Sequence, residues 1–169
     1  MKYKTRDLVT SGVLLGISIV ISTAIHMSGI DGSIFLPMHI PVMIAGFLLG
    51  PSLGLIVGFL SPLLNHALTG MPPIPVLWIM LVELSIYGLI SGYLYKRLNM
   101  NLIFSLIISM IIGRMGAALT ILLLGQGFGL PMPPLDIYVY GMTLTAIPGI
   151  IIQIILIPIL IKTYEKYRE

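Results

Sequence analysis

Few side chains in this sequence could do chemistry, and they fall where charge is costly. Glu83 lies inside the apolar run VLWIMLVELSIYGLISGYLY (76 to 95), and Arg114 lies in a second apolar run, flanked by Gly113 and Gly116. An ionised group at the depth of hydrocarbon is expensive, so such residues pair with one another, serve a site, or both. Tyr87 follows Glu83 by one helical turn on the same face. His39 opens the stretch 35 to 73, and Asn65 and His66 stand near its end. Gln126 is a polar member of a Gly/Pro-rich segment at 125 to 136. A guanidinium forks onto a carboxylate, whereas a carboxylate suits an amine or a purine-like N–H edge. His39, Asn65, His66, Glu83, Tyr87, Arg114 and Gln126 thus form a candidate binding set for a small polar molecule. The competing reading is that Glu83 and Arg114 only neutralise each other as a structural lock. No catalytic group and no cofactor is expected. The three histidines lack a metal-binding spacing, and with no cysteine the chain has no disulfide or thiolate chemistry.

The elements that must position these residues are membrane helices. The chain has 169 residues, of which 57% are hydrophobic and only 9% charged. A soluble domain is about 25% charged, so this composition cannot cover a water-facing surface. A helix needs about 20 apolar residues to cross the hydrocarbon. The expected fold is a single all-α integral membrane domain over 1 to 169, with about six spans.

The first span covers 8 to 26 and carries Gly12 and Gly16, a small-xxx-small pair that lets another helix come close. That other helix belongs either to this bundle or to a partner subunit. A Gly/Ser-rich loop follows at 27 to 37, with Asp31 as a turn residue. The stretch 35 to 73 holds two apolar runs, 41 to 49 and 53 to 64, hinged at Gly50-Pro51. Both are short and Pro/Gly-interrupted, which fits two short spans or one re-entrant hairpin, and such segments survive at membrane depth where they line a cavity. The fourth span covers 76 to 95, with a second small pair at Gly88 and Gly92. The fifth covers 102 to 124, and the last 137 to 161, where Pro148 and Pro158 predict a kink or tilt. At 1.5 Å per residue, Glu83 sits roughly 10–12 Å and Arg114 roughly 15 Å from the span ends facing the loops at 70 to 75 and 125 to 136. These depths are close enough for the two to meet.

Eight of the nine basic residues fall on one side of a six-span arrangement: Lys2, Lys4, Arg6, Lys96, Arg97, Lys162, Lys166 and Arg168. The positive-inside rule then puts both termini in the cytoplasm, with the loops at 27 to 37, 70 to 75 and 125 to 136 outside. No GxxxxGK[ST] sequence is present, so the chain does not hydrolyse ATP itself. HExxH is also absent, which leaves an enzyme without support.

Taken together, the small-residue first helix, LPMHIPVMIAGFLLGPSLGLIVGFLSPLLNHALTG and VELSIYGLISGYLYKRL resemble the substrate-binding S component of energy-coupling factor (ECF) transporters. The likeness covers nearly the whole chain and is strongest from 36 to 98. It implies a subunit in a prokaryotic cell membrane that binds a vitamin-like micronutrient from outside. It also implies delivery through a transmembrane coupling subunit driven by two cytoplasmic ATPases. Gly12-x-x-x-Gly16 stands where that family often has an Ala-x-x-x-Ala face for the coupling subunit. Pantothenate, a folate-like pterin and a queuosine-type deazapurine all suit the polar set. The alternative from another class is an autonomous proton-coupled carrier using Glu83 and His66.

Overall fold

The computed structural model describes residues 3–29 and 31–167, with the side chains of residues 142 and 143 left aside. Lys2 and Arg168, used above for orientation, lie outside the described residues. Among the described residues eight α-helices follow one another: α1 (Thr5–Met27), α2 (Gly32–Phe35), α3 (His39–Leu49), α4 (Pro51–Thr69), α5 (Val76–Gly92), α6 (Leu102–Ile121), α7 (Leu135–Tyr140) and α8 (Ile147–Lys166). Wider π-helical turns extend α5 through Tyr93–Arg97 and α6 through Leu122–Gly127, and a third, Gly141–Thr145, follows α7. Six segments of the described residues are long and apolar enough to cross a membrane: Thr5–Met27, Gly32–Leu49, Pro51–Thr69, Val76–Arg97, Leu102–Gly127 and Ile147–Lys166.

The hinge between the second and third spans is a single residue. Gly50 has φ +89°, a left-handed value that glycine adopts without penalty. Pro51 starts α4 at the position where its missing N–H costs nothing. The second segment reaches 18 residues only by adding the short turn α2 to the 11 residues of α3, while α4 runs for 19. Residues 41 to 69 therefore form two successive helices, and Asn65 and His66 lie within the second.

Burial of apolar surface gives little drive for helices to associate when the surroundings are hydrocarbon; close backbone packing does more. The glycines show where this happens. A Cβ on Gly88 would collide with the Gly54 backbone, one on Gly58 with the Leu84 carbonyl, and one on Gly92 with the Gly50–Pro51 backbone. The pair Gly88 and Gly92 thus seats α5 on α4 and on the hinge. The pair Gly12 and Gly16 behaves differently. A Cβ at either position would meet nothing within 4 Å. It is another face of α1, carrying Ser11, Leu14, Ser18 and Ser22, that is buried, and there Ser61 Oγ donates to Ser18 Oγ at 3.0 Å. Gly12 and Gly16 do not pack inside this bundle.

At the end of the bundle where α8 finishes, the Tyr95 hydroxyl donates to Glu165 at 2.9 Å, and Lys96 Nζ lies 3.6 Å from the same carboxylate. Phe47 packs edge-on against Tyr95, with ring centroids 5.5 Å apart. The opposite end collects α2, residues 70–75 and α7. There α2 rests on Gly149 of α8, where a Cβ would press on the Ile34 and Phe35 backbone.

The last span differs from the expected single kinked helix over 137 to 161. It is broken at Ala146, and α8 begins at Ile147 with Pro148 in its first turn. Proline in a helix interior loses a hydrogen bond and clashes with the preceding turn, so it starts this helix rather than bending it. Pro158 remains inside α8. The expected loop at 125 to 136 is shorter as well: the turn extending α6 reaches Gly127, and Asp136 lies in α7. The expected loop at 27 to 37 contains α2, whose N-cap Asp31 accepts from the Ser33 N–H at 2.9 Å.

Candidate functional site

The buried stripe of α5, with Ile79, Glu83, Leu84, Tyr87, Gly88 and Ser91, repeats at helical spacing and turns Glu83 fully inward. Its carboxylate is the hub of a cluster drawn from four helices. Tyr87, one turn on, donates to Glu83 Oε1 at 3.1 Å. Gly113 makes room for the Tyr87 ring on α6, since a Cβ there would strike it. The next residue, Arg114, brings Nη1 within 3.0 Å of Oε1. Its N–H bonds do not point along that line, so the contact is ionic rather than a hydrogen bond. From the start of α3, His39 Nε2 lies 3.9 Å from Oε1, and its ring tilts by 60° against Tyr87 at a centroid distance of 5.1 Å. From α7, the Tyr138 hydroxyl donates to Oε2 at 3.3 Å. Burial first, and the Glu83 charge next, push the Tyr138 phenol well above its ordinary pKa, which keeps it a hydroxyl donor.

The cluster borders two hollows. One, of about 310 Å³, opens among the loops. Leu36, Met38, Val76 and Met80 give it apolar walls, Met71 to Pro73 cover one side, and His39 and Tyr138 supply polar groups from the cluster. His26, Asp31 and Ser33 also line it. The other hollow, of about 390 Å³, lies between α6 and α8; Tyr87 and Arg114 line it beside Ile107, Ile111 and Ile154. The charged pair therefore stands between the hollows, with Arg114 on the α6/α8 side and about a quarter exposed.

Each expected site residue now has a place. His39, Glu83, Tyr87 and Arg114 come together. Of these, only His39 lines the loop-side cavity; Tyr87 and Arg114 line the other hollow, and Glu83 is fully buried between the two. Asn65 and His66 take a different part from the one expected. Asn65 Nδ2 donates to the Met71 carbonyl at 2.9 Å, and His66 Nδ1 meets the Pro72 carbonyl at 2.8 Å. A carbonyl only accepts, so His66 carries its proton on Nδ1. Both side chains pin the segment that covers the cavity and do not line it themselves. Gln126 is exposed in the turn that extends α6 and lines neither hollow. Tyr138 is the residue the sequence reading passed over as a site member. Its signal was weak, a tyrosine at the very start of a segment taken for one long span.

Two further observations bear on chemistry. Both ring nitrogens of His39 are buried without a hydrogen-bond partner, an arrangement that costs free energy until something fills it. Among the described residues, no group of His, Asp and Glu could hold a metal ion. A cavity of this size with apolar walls and a few convergent polar groups has the form of a small-molecule site.

A family model described as the substrate-specific component of ECF transporters matches residues 6–161. No curated protein and no solved structure matches the chain.

Proposed function

The chain belongs to the ECF transporter family as a substrate-specific component, and from that premise we propose that the cavity of about 310 Å³ is where it captures its substrate. The observation that carries this reading is the enclosure. Three separate pieces of chain, around Asp31, Pro72 and Tyr138, meet over a pocket whose inner wall is a preorganised polar cluster. On this reading His39 and Tyr138 touch the substrate. Glu83 and Tyr87 hold those two in place, Arg114 balances the buried charge, and Asn65 and His66 hold the covering segment.

Membership of this family supports capture from outside and delivery through a coupling subunit. A vitamin-like molecule, with pantothenate, a pterin and a deazapurine as the candidates, enters from the outer face between the loops. The loaded subunit then presents the open Gly12–Gly16 face of α1 to a transmembrane coupling subunit, whose two cytoplasmic ATPases drive release inward. Small residues permit the close helix approach that such docking needs. The basic residues at the termini end support placing both termini in the cytoplasm.

Mass spectrometry of small molecules that copurify with the protein tests the capture reading. One stoichiometric, vitamin-like species is the expected result. In liposomes the subunit alone should bind that species without accumulating it. Accumulation driven by a pH gradient, with no partner present, would instead establish a carrier.

A further inference from the structure

We infer that the loop-side cavity selects an uncharged, flat heterocycle with a lactam- or amidine-type hydrogen-bonding edge, read by His39 and Tyr138, and that it rejects carboxylates. This rests on the capture reading above and narrows it.

Charge comes first. Among the described residues, the cavity lining contains no lysine and no arginine. Asp31 lies at its mouth, and Glu83 lies directly behind Tyr138. A carboxylate entering here would meet the Asp31 carboxylate and no lysine or arginine, with the His26 and His39 imidazoles as the basic groups of the lining; an unmatched acid is the kind of element that excludes a wrong ligand. Arg114, the guanidinium beside Glu83, lines the other hollow and is paired with that carboxylate.

A cation finds no open anion at depth either. Glu83 is already met by Arg114, Tyr87 and Tyr138, so its charge is compensated inside the wall. Asp31 is exposed and accepts from the Ser33 N–H. What remains in the inner wall is neutral hydrogen-bonding capacity. A neutral imidazole carries one donor and one acceptor; neither His39 nitrogen has a hydrogen-bond partner, and Nε2 lies 3.9 Å from Glu83 Oε1. The Tyr138 hydroxyl spends its proton on Glu83, which leaves its oxygen to accept. A ligand satisfying these groups presents adjacent N–H and C=O or C=N groups along one edge, as purines, deazapurines, pterins and pyrimidines do.

Shape agrees. Much of the remaining wall is apolar: the branched Leu36 and Val76, the thioethers Met38 and Met80, and the rigid rings of Pro72 and Pro73, which suit the faces of an aromatic system. The volume of about 310 Å³ is at the small end for ligand pockets, which fits one or two fused rings better than a long chain.

The test is equilibrium binding to the purified full-length protein in detergent, stripped of copurifying material. Guanine, 7-deazaguanine, 6-hydroxymethylpterin and thymine are compared with pantothenate, nicotinate, biotin and lipoate. At least one neutral ring should bind tenfold or more tighter than every carboxylate. His39→Gln and Tyr138→Phe should each weaken that ring by tenfold or more, with the unfolding temperature of at least one variant held at the wild-type value. Tightest binding by a carboxylate, or binding by no neutral ring, overturns the inference. A carboxylate result leaves the capture reading intact, whereas a protein that binds nothing and copurifies with nothing removes both. Full affinity for the preferred ring in a folded His39→Gln variant also overturns the assigned edge.

Discussion

Removing the charge of Glu83 gives the most direct reading of what the Glu83–Arg114 pair does. In Glu83→Gln the side chain keeps its shape and one acceptor oxygen, but Arg114 loses the only carboxylate beside it. Breaking a buried pair by removing one partner costs about 3–5 kcal/mol. Arg114 is 23% exposed while Glu83 is 0% exposed, so the guanidinium can move partly toward polar surroundings and the cost falls to about 2 kcal/mol. Tyr87 and Tyr138 donate to different oxygens of Glu83, and an amide serves only one of them, which adds about 1 kcal/mol. A total of about 3 kcal/mol, at roughly 3 °C per kcal/mol for a chain of this length, lowers the unfolding temperature by about 9 °C. Arg114→Gln should cost at least as much, because it leaves the more deeply buried partner alone. In the double variant both charges are gone, and most of the loss should be recovered, since neutral replacements of buried pairs are often tolerated. Unfolding followed by circular dichroism in detergent measures all three. Single variants that unfold within about 2 °C of wild type would refute the account. So would a double variant less stable than either single. Loss of ligand affinity in the double variant at wild-type stability would move Glu83 or Arg114 from a positioning role to direct contact.

Gly12→Leu and Gly16→Leu should leave the unfolding temperature and ligand binding unchanged and abolish assembly with a coupling module; Gly88→Leu, which drives a side chain into the Gly54 backbone, should prevent folding outright. Equal destabilisation at all three positions, seen in yield and thermal unfolding, would show that the α1 glycines pack internally. His66→Ala and Asn65→Ala release residues 70–75 from α4 and should weaken ligand binding by about tenfold through faster dissociation, read by stopped-flow; unchanged dissociation in both argues against a pinned cover. Because the chain has no cysteine, Ser33→Cys and Gly127→Cys can be labelled cleanly. Both should react with an impermeant thiol reagent from outside intact cells, and reaction only from the cytoplasmic side inverts the topology. Ligand should slow hydrogen exchange in 31–37 and 135–140, the two segments that bring Asp31 and Tyr138 to the cavity, and unchanged exchange in both at saturation would remove their role as a closing lid.

Composition and local pattern determined a good deal. Runs of about 20 apolar residues have one stable form in hydrocarbon, so six helices were legible from length and hydropathy. The hinge was legible because Gly50-Pro51 combines a residue that tolerates a positive φ with one that starts a helix. The pairing of Glu83 with Arg114 was legible because the spans offer no other pair of opposite charges and both residues stand at similar depth. What the sequence left open was decided by which faces meet. Gly12-x-x-x-Gly16 and Gly88-x-x-x-Gly92 are the same pattern; only the packing of the serine face of α1 onto the bundle left the first open while α4 closed over the second. Asn65 and His66 looked like ligand groups beside Glu83, but the carbonyls of Met71 and Pro72 lie within reach and take their hydrogen bonds. Local sequence does not say where a returning loop will place its carbonyls. Tyr138 enters the site because Pro148 starts α8 and leaves α7 as a separate short helix, free to bring its hydroxyl to Glu83 from 55 residues away. A contact across that separation is set by the closing of the whole bundle, and no local pattern in the chain encodes it.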